Sequence, residues 1–205
     1  MELQFYGANC VRITTKKASV VVDDINGDTT KAGDIALFTG SHDKPKVDTK
    51  IVIDQPGEYE VSDASLQGIA ARAHMDEDKN GHTATIFKLI AEDIRVAVLG
   101  HIYPELNDEQ LEALGRVDVL IVPVGGSGYT LDGIGALKLI KKIEPKIVIP
   151  THYADKAVKY EVPQAELADV LKDISMEPKE TVPKLKLKAG ELFGENSQLI
   201  ILERQ

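Results

Sequence analysis

A chain of 205 residues with a single cysteine is long enough to bury a sizeable core and cannot close an intrachain disulfide. Apolar residues make up 43% beside ordinary glycine and proline usage, which argues against disorder, and the net charge of −9 argues against nucleic acid or an anionic membrane as the default partner. With no Trp, four Phe and six Tyr, the core must be built from Val, Ile, Leu and Ala. In chain order, Leu3 to Tyr6, Val11 to Thr14 and the β-branched run Ala18 to Val22 read as short strands, with turn formers Ile25 to Asp28 behind them. Ile35 to Thr39 and Ile51 to Ile53 follow, then a turn at Gln55 to Glu58, then strands within Val61 to Ala73, Thr83 to Leu89 and Arg95 to Leu99.

The second half changes character. Asn107 to Gln110 before Leu111 and Leu114 reads as a helix start with acidic residues in its first turn. Asp118 to Val124 is an apolar strand ending at Gly125-Gly126. Leu131 to Ile143 is a helix presenting Ile134, Leu137 and Ile140 on one face, and Lys146 to Ile149 is a strand leading into Pro150-Thr151-His152. Pro163 to Ile174 is a second amphipathic helix, and Leu185 to Leu187 and Leu199 to Leu202 are the last strands. Glu177 to Lys188 is expected to be a solvated loop feeding them. Buried strands alternating with helices after a β-rich half imply one compact α/β domain, residues 1–205, with two sheets.

Compartment signals are simple. One thiol is compatible with a reducing cytoplasm, and Cys10, in an apolar-leaning run, is expected to be a buried small hydrophobe. The opening residues lack the basic-then-apolar pattern of a signal peptide. The longest apolar run, Val117 to Gly126, is interrupted by Asp118 and Pro123 and is far short of a membrane span. A cytoplasmic location is expected.

Chemistry rests on the histidines. His42, His101 and His152 each sit just beyond a strand, and His74 lies at the end of another. Loops at strand ends converge while the strands hold them rigid, so these four are either unrelated polar loop residues or ligands converging on a metal. His82, in a loop, is expected to be only solvated. Gly125-Gly126-Ser127-Gly128, between a strand and a helix, is either a tight turn or an anion-binding turn, and it lacks the glycine spacing of a nucleotide fingerprint. Ser41 and Ser127 have no nucleophile-elbow context, and Asp76-Glu77-Asp78 reads as a solvated loop.

Several longer stretches carry a resemblance. Tyr6 to Ile13, the strand ending at Asp23, Pro56-Gly57-Glu58-Tyr59-Glu60-Val61, Asp118 to Gly126 and Glu144 to Tyr153 match, in order, the metallo-β-lactamase fold. The chain is similar in particular to its branch of small zinc-dependent hydrolases related to L-ascorbate-6-phosphate lactonases. The resemblance implies an αββα sandwich, two mixed sheets with helices on the outer faces. Its signature, Thr-His-x-His-x-Asp-His, falls on Thr39-Gly40-Ser41-His42-Asp43-Lys44-Pro45, where only His42 is kept. His74 corresponds to the third ligand of the first metal, His101 stands where the bridging aspartate belongs, and His152 corresponds to the final metal histidine.

A dinuclear site needs a bridging carboxylate, and Lys44 places an ammonium where a second metal's ligand should be. The resemblance therefore implies at most a mononuclear zinc, or another divalent transition metal, on His42, His74, His101 and His152. Asp43 is the nearby carboxylate that would ligate or orient water, making it the candidate catalytic residue. Gly125, Gly126 and Lys44 border the cleft and would face substrate. The implied activity is hydrolysis of a small-molecule ester, lactone or phosphoester. The competing reading is a non-catalytic member of the fold binding a small anionic ligand, with Lys44 supplying the positive charge, or a protein partner. Neither reading expects nucleic acid or membrane as a partner, and since the helical faces of this fold form dimers in relatives, a homo-oligomer is compatible with both.

Overall fold

The computed structural model describes residues 1–40, 45–78, 80–192, 194 and 196–205. Two mixed sheets face each other. The first, in the order β13-β1-β2-β3-β4-β5, is formed by β1 (Glu2–Gly7), β2 (Cys10–Thr14), β3 (Ser19–Val22), β4 (Ile35–Leu37), β5 (Ile51–Ile53) and β13 (Leu185–Lys186). The second, in the order β12-β14-β11-β10-β9-β8-β7-β6, contains β6 (Gly57–Val61), β7 (Ala64–Ala71), β8 (Ala84–Ala91), β9 (Ile94–Val98), β10 (Val119–Pro123), β11 (Ile147–Thr151), β12 (Pro178–Val182) and β14 (Gln198–Leu202). Helices α1 (Asp108–Leu114), α2 (Gly133–Ile143) and α3 (Leu167–Ile174) belong to the second half of the chain.

The continuous apolar runs are explained by burial on both faces. Side chains alternate across a strand. Val119 and Ile121 of β10, with Ile147 and Ile149 of β11, enter a core between the sheets that also holds Leu3, Phe5, Val20, Leu37 and Phe87. Leu120, Val122 and Val148 point the other way, into a second core with Leu139 and Ile140 of α2 and Val170 and Ile174 of α3. The described helices thus cover the second sheet. The loop after β3 crosses the buried Arg12, whose guanidinium bonds Ser19 (2.7 Å), Asp34 (3.0 Å) and the carbonyl of Thr29.

Four expectations need correction. Val61 belongs to β6, and the turn Ser62-Asp63, both at positive φ, separates it from β7, so Gln55 to Ala73 is a hairpin rather than a turn followed by one strand. Glu177 to Lys188 is not simply a loop: β12 lies within it and pairs parallel with β14 at the sheet edge. Its outward polar residues have no apolar pattern to reveal it. The buried face of α2 is Ala136, Leu139 and Ile140, whereas Ile134 is 67% exposed. The third helix starts at Leu167, because Glu166 is extended and the Ala165 backbone is engaged by Gly125 and Ala154 instead of by a helical turn.

Candidate functional site

The site lies where loops leave β1, β3, β4, β9 and β11. Its floor is a buried hydrogen-bond network. The Asp23 carboxylate accepts from Asn9 Nδ2 (2.7 Å), the Thr39 amide (2.7 Å) and Thr39 Oγ1 (2.6 Å). Thr151 Oγ1 donates to Asn9 Oδ1 (2.6 Å), which ties the end of β11 to the first sheet. All four residues are buried, so each lost bond would strand a polar group away from water. Ala8, Asp23 and His152 hold positive φ angles of 46°, 46° and 56°, a region that non-glycine residues occupy at a cost. The His152 amide donates to the Ala8 carbonyl (2.7 Å), so one strained residue is pinned to another.

Above this floor stand two imidazoles. His101 follows β9 and His152 follows β11, the strands on either side of β10. Their rings meet edge to face, 4.8 Å between centroids at 89°. Tyr129 lies 5.0 Å from His101 and 5.9 Å from His152, and Tyr160 lies 5.2 Å from His152. His152 is buried, and that burial pushes its pKa below the ordinary value of 6.5 against the opposing pull of a bond to Gln164. The Tyr160 hydroxyl, also desolvated and facing Asp155, is pushed up to about 12 and donates to the Tyr153 carbonyl (2.7 Å).

Of the four histidines expected to converge, the structure brings His101 and His152 into contact. His74 is joined to them through its backbone, its amide donating to the His101 carbonyl (2.8 Å), while its ring packs 5.8 Å from Tyr103. His42, Asp43 and Lys44 lie outside the described residues. His82 is exposed, as expected. Among the described residues, no group of three or more His, Cys, Asp or Glu side chains is placed to hold a metal ion. The donor chemistry suits zinc, since neutral imidazoles are its ligands, but the described pair supplies two of the three or four that a mononuclear site takes. Pro45, where the signature has its last histidine, packs beside Gly27, its Cβ 3.2 Å from where a Cβ on that glycine would stand.

Gly125 and Gly126 have a structural task. A Cβ on Gly125 would collide with Gln164 Oε1 and with the His152 carbonyl oxygen. Gly126, at φ 71°, turns the chain so that its amide reaches Thr130 Oγ1 (2.9 Å). Sequence reasoning did not single out Asn9, Asp23, Thr39, Thr151, Tyr129, Tyr160 or Gln164 as site residues. The available signal was polar residues closing β-branched runs, as at Asp23 and Thr151. Cys10 is buried as expected, and desolvation together with Asp24 raises its thiol pKa to about 12.

A model of the beta-lactamase superfamily domain matches residues 2–152. The chain belongs to this superfamily. A UPF0173 protein of Pyrococcus abyssi (strain GE5 / Orsay) is 26% identical over 184 residues, 75% of this chain and 83% of that protein. A UPF0173 metal-dependent hydrolase of Thermoplasma acidophilum is 44% identical over 45 residues, 22% of this chain and 20% of the relative. Among solved structures, a metallo-beta-lactamase superfamily protein of Thermotoga maritima has a TM-score of 0.77 at 24% identity, covering 100% of this chain and 99% of that one. Igni18, a metallo hydrolase of Ignicoccus hospitalis, has a TM-score of 0.64 at 14% identity, covering 98% and 94%. These likenesses establish two mixed sheets with the superfamily's architecture. Among the described residues, no helix is long and apolar enough to cross a membrane.

Proposed function

We propose that the protein is a metal-dependent hydrolase acting on a small-molecule ester, lactone or phosphoester with a single divalent transition metal, zinc or a similar ion. The observation that carries this reading is the His101–His152 pair, two imidazoles in contact at the ends of strands flanking β10 over a fully bonded polar floor. The names of the UPF0173 relatives support it. His101 and His152 would hold the ion, with His74 and His42 as further ligands. Such an ion supplies Lewis acidity toward a carbonyl or phosphoryl oxygen. The chain's own contributions are separate from it. Burial keeps His152 in its neutral, lone-pair-bearing form, Tyr129 and Tyr160 wall the pair, and Asp43 is the carboxylate that would orient water and take its proton. Lys44, Gly125 and Gly126 would border the substrate.

Metal analysis of protein purified without tag or chelator tests this reading. The expected result is up to one zinc or manganese per chain, lost in His101→Ala and in His152→Ala, with hydrolysis of a panel of nitrophenyl esters, lactones and phosphoesters lost in parallel. Absence of a bound ion together with no uptake of added zinc or manganese overturns it.

The replacement of signature ligands by Gly40, Lys44 and Pro45 supports a second reading, a non-catalytic cleft that binds a small anionic ligand. Under that reading, inorganic phosphate binds the metal-free protein and Lys44→Ala abolishes the binding.

A further inference from the structure

We propose that Gln164 is the positioning residue for His152: its side-chain carbonyl fixes the imidazole in the tautomer protonated on Nδ1 and leaves Nε2 as the nitrogen with the free lone pair. The inference deepens the metal reading and rests on it only for the use made of Nε2.

Gln164 Nε2 lies 2.8 Å from the Val162 carbonyl oxygen. A carbonyl oxygen only accepts, so the NH2 end of the amide must point there. The opposite end, Oε1, then faces His152 Nδ1 at 3.0 Å. Oε1 also only accepts, so Nδ1 must carry the proton, and the neutral ring has just one. The tautomer is therefore set by a backbone carbonyl two residues before the glutamine.

The segment bearing Gln164 is fixed from several sides. The Ala165 amide donates to the Gly125 carbonyl (2.9 Å), and the Ala154 amide donates to the Ala165 carbonyl (2.9 Å). Ser127 Oγ donates to the Pro163 carbonyl (2.5 Å). The missing Cβ of Gly125 is what lets Oε1 reach the imidazole. The glycine loop after β10 thus acts as the seat for an acceptor that orients the histidine following β11. An acceptor on the far nitrogen fixes which nitrogen of an imidazole is available to a ligand, and losing one typically costs 10–100-fold in metal affinity.

Nitrogen-15 NMR of the metal-free protein tests the inference directly, with His152 assigned by its loss in His152→Gln. The wild type should show a pyrrole-type Nδ1 and a pyridine-type Nε2. Gln164→Leu, which keeps volume and removes the acceptor, should shift His152 toward the Nε2-protonated tautomer, while Gln164→Glu should keep the wild-type pattern. Zinc titration should show an affinity about 10–100-fold weaker for Gln164→Leu, recovered in Gln164→Glu. A wild-type His152 protonated on Nε2 overturns the inference, and so does a folded Gln164→Leu with an unchanged tautomer. If Gln164→Leu does not fold, the wild-type spectrum alone decides. If the wild type takes up no zinc but shows the Nδ1-protonated ring, the metal reading fails and the positioning role stands.

Discussion

Gly125 has no room for a methyl group, because two oxygens, one from Gln164 and one from the His152 backbone, occupy the space. Gly125→Ala should therefore destabilise the protein by about 1–3 kcal/mol through overpacking, read as a lower denaturation midpoint. His152 gives a second expectation at this scale. Its folded pKa lies below the ordinary 6.5, so the unfolded chain takes up a proton that the buried ring resists. The stabilisation from keeping it neutral is complete above about pH 6.5 and is lost as pH falls through the lowered folded value. Chemical denaturation at several pH values should show a decline on the acid side that is shallower in His152→Gln; equal slopes would refute it. His101 and His152 were legible in the sequence because histidines after strand ends are conspicuous. Gln164, Asn9 and Thr39 were not, because they are ordinary polar residues whose importance comes from partners distant in the chain.

At the scale of the element, what could be read depended on burial. β10 and β11 are buried on every residue and show as unbroken apolar runs. β12 is almost wholly exposed, so its Pro-Lys-Glu-Thr-Val sequence carries no alternation, and its place beside β14 is set by parallel backbone pairing, supported by a Lys179–Gln198 side-chain hydrogen bond (2.7 Å) and the half-buried Val182. α1 announced itself through its cap. The Asn107 side chain accepts from the Gln110 amide (2.8 Å) and the Gln110 side chain accepts from the Asn107 amide (3.0 Å), a reciprocal pair that satisfies donors at the helix start. Gln110 Nε2 also donates to the Ala70 carbonyl of β7 (2.8 Å), which ties the cap to the sheet. Asn107→Ala should cost about 1 kcal/mol in urea denaturation, the usual value of an N-cap.

At the scale of the whole molecule, stability comes from two apolar layers that share the second sheet. Phe87 is fully buried in the layer between the sheets, one of few large aromatics in a core of branched aliphatics. Phe87→Ala should cost about 3–5 kcal/mol, since small neighbours refill such a cavity poorly. Ile134→Ala, on a side chain 67% exposed, should stay within about 0.5 kcal/mol. Calorimetric melting of both variants checks the contrast. Two packed sheets were readable because buried runs repeat along many strands, and the resemblance of several stretches in order implied the sandwich; the strand order and register within each sheet were not readable, since no local periodicity encodes them. The strand order also has a consequence in time. His101 and His152 ride on strands that pair with opposite edges of β10, and both pairings are parallel. Each is reached only after a helical crossover closes, and such long-range closures are slow steps of folding. The imidazole pair is therefore a clock hand for the chain: its rings come together only once the centre of the second sheet is complete.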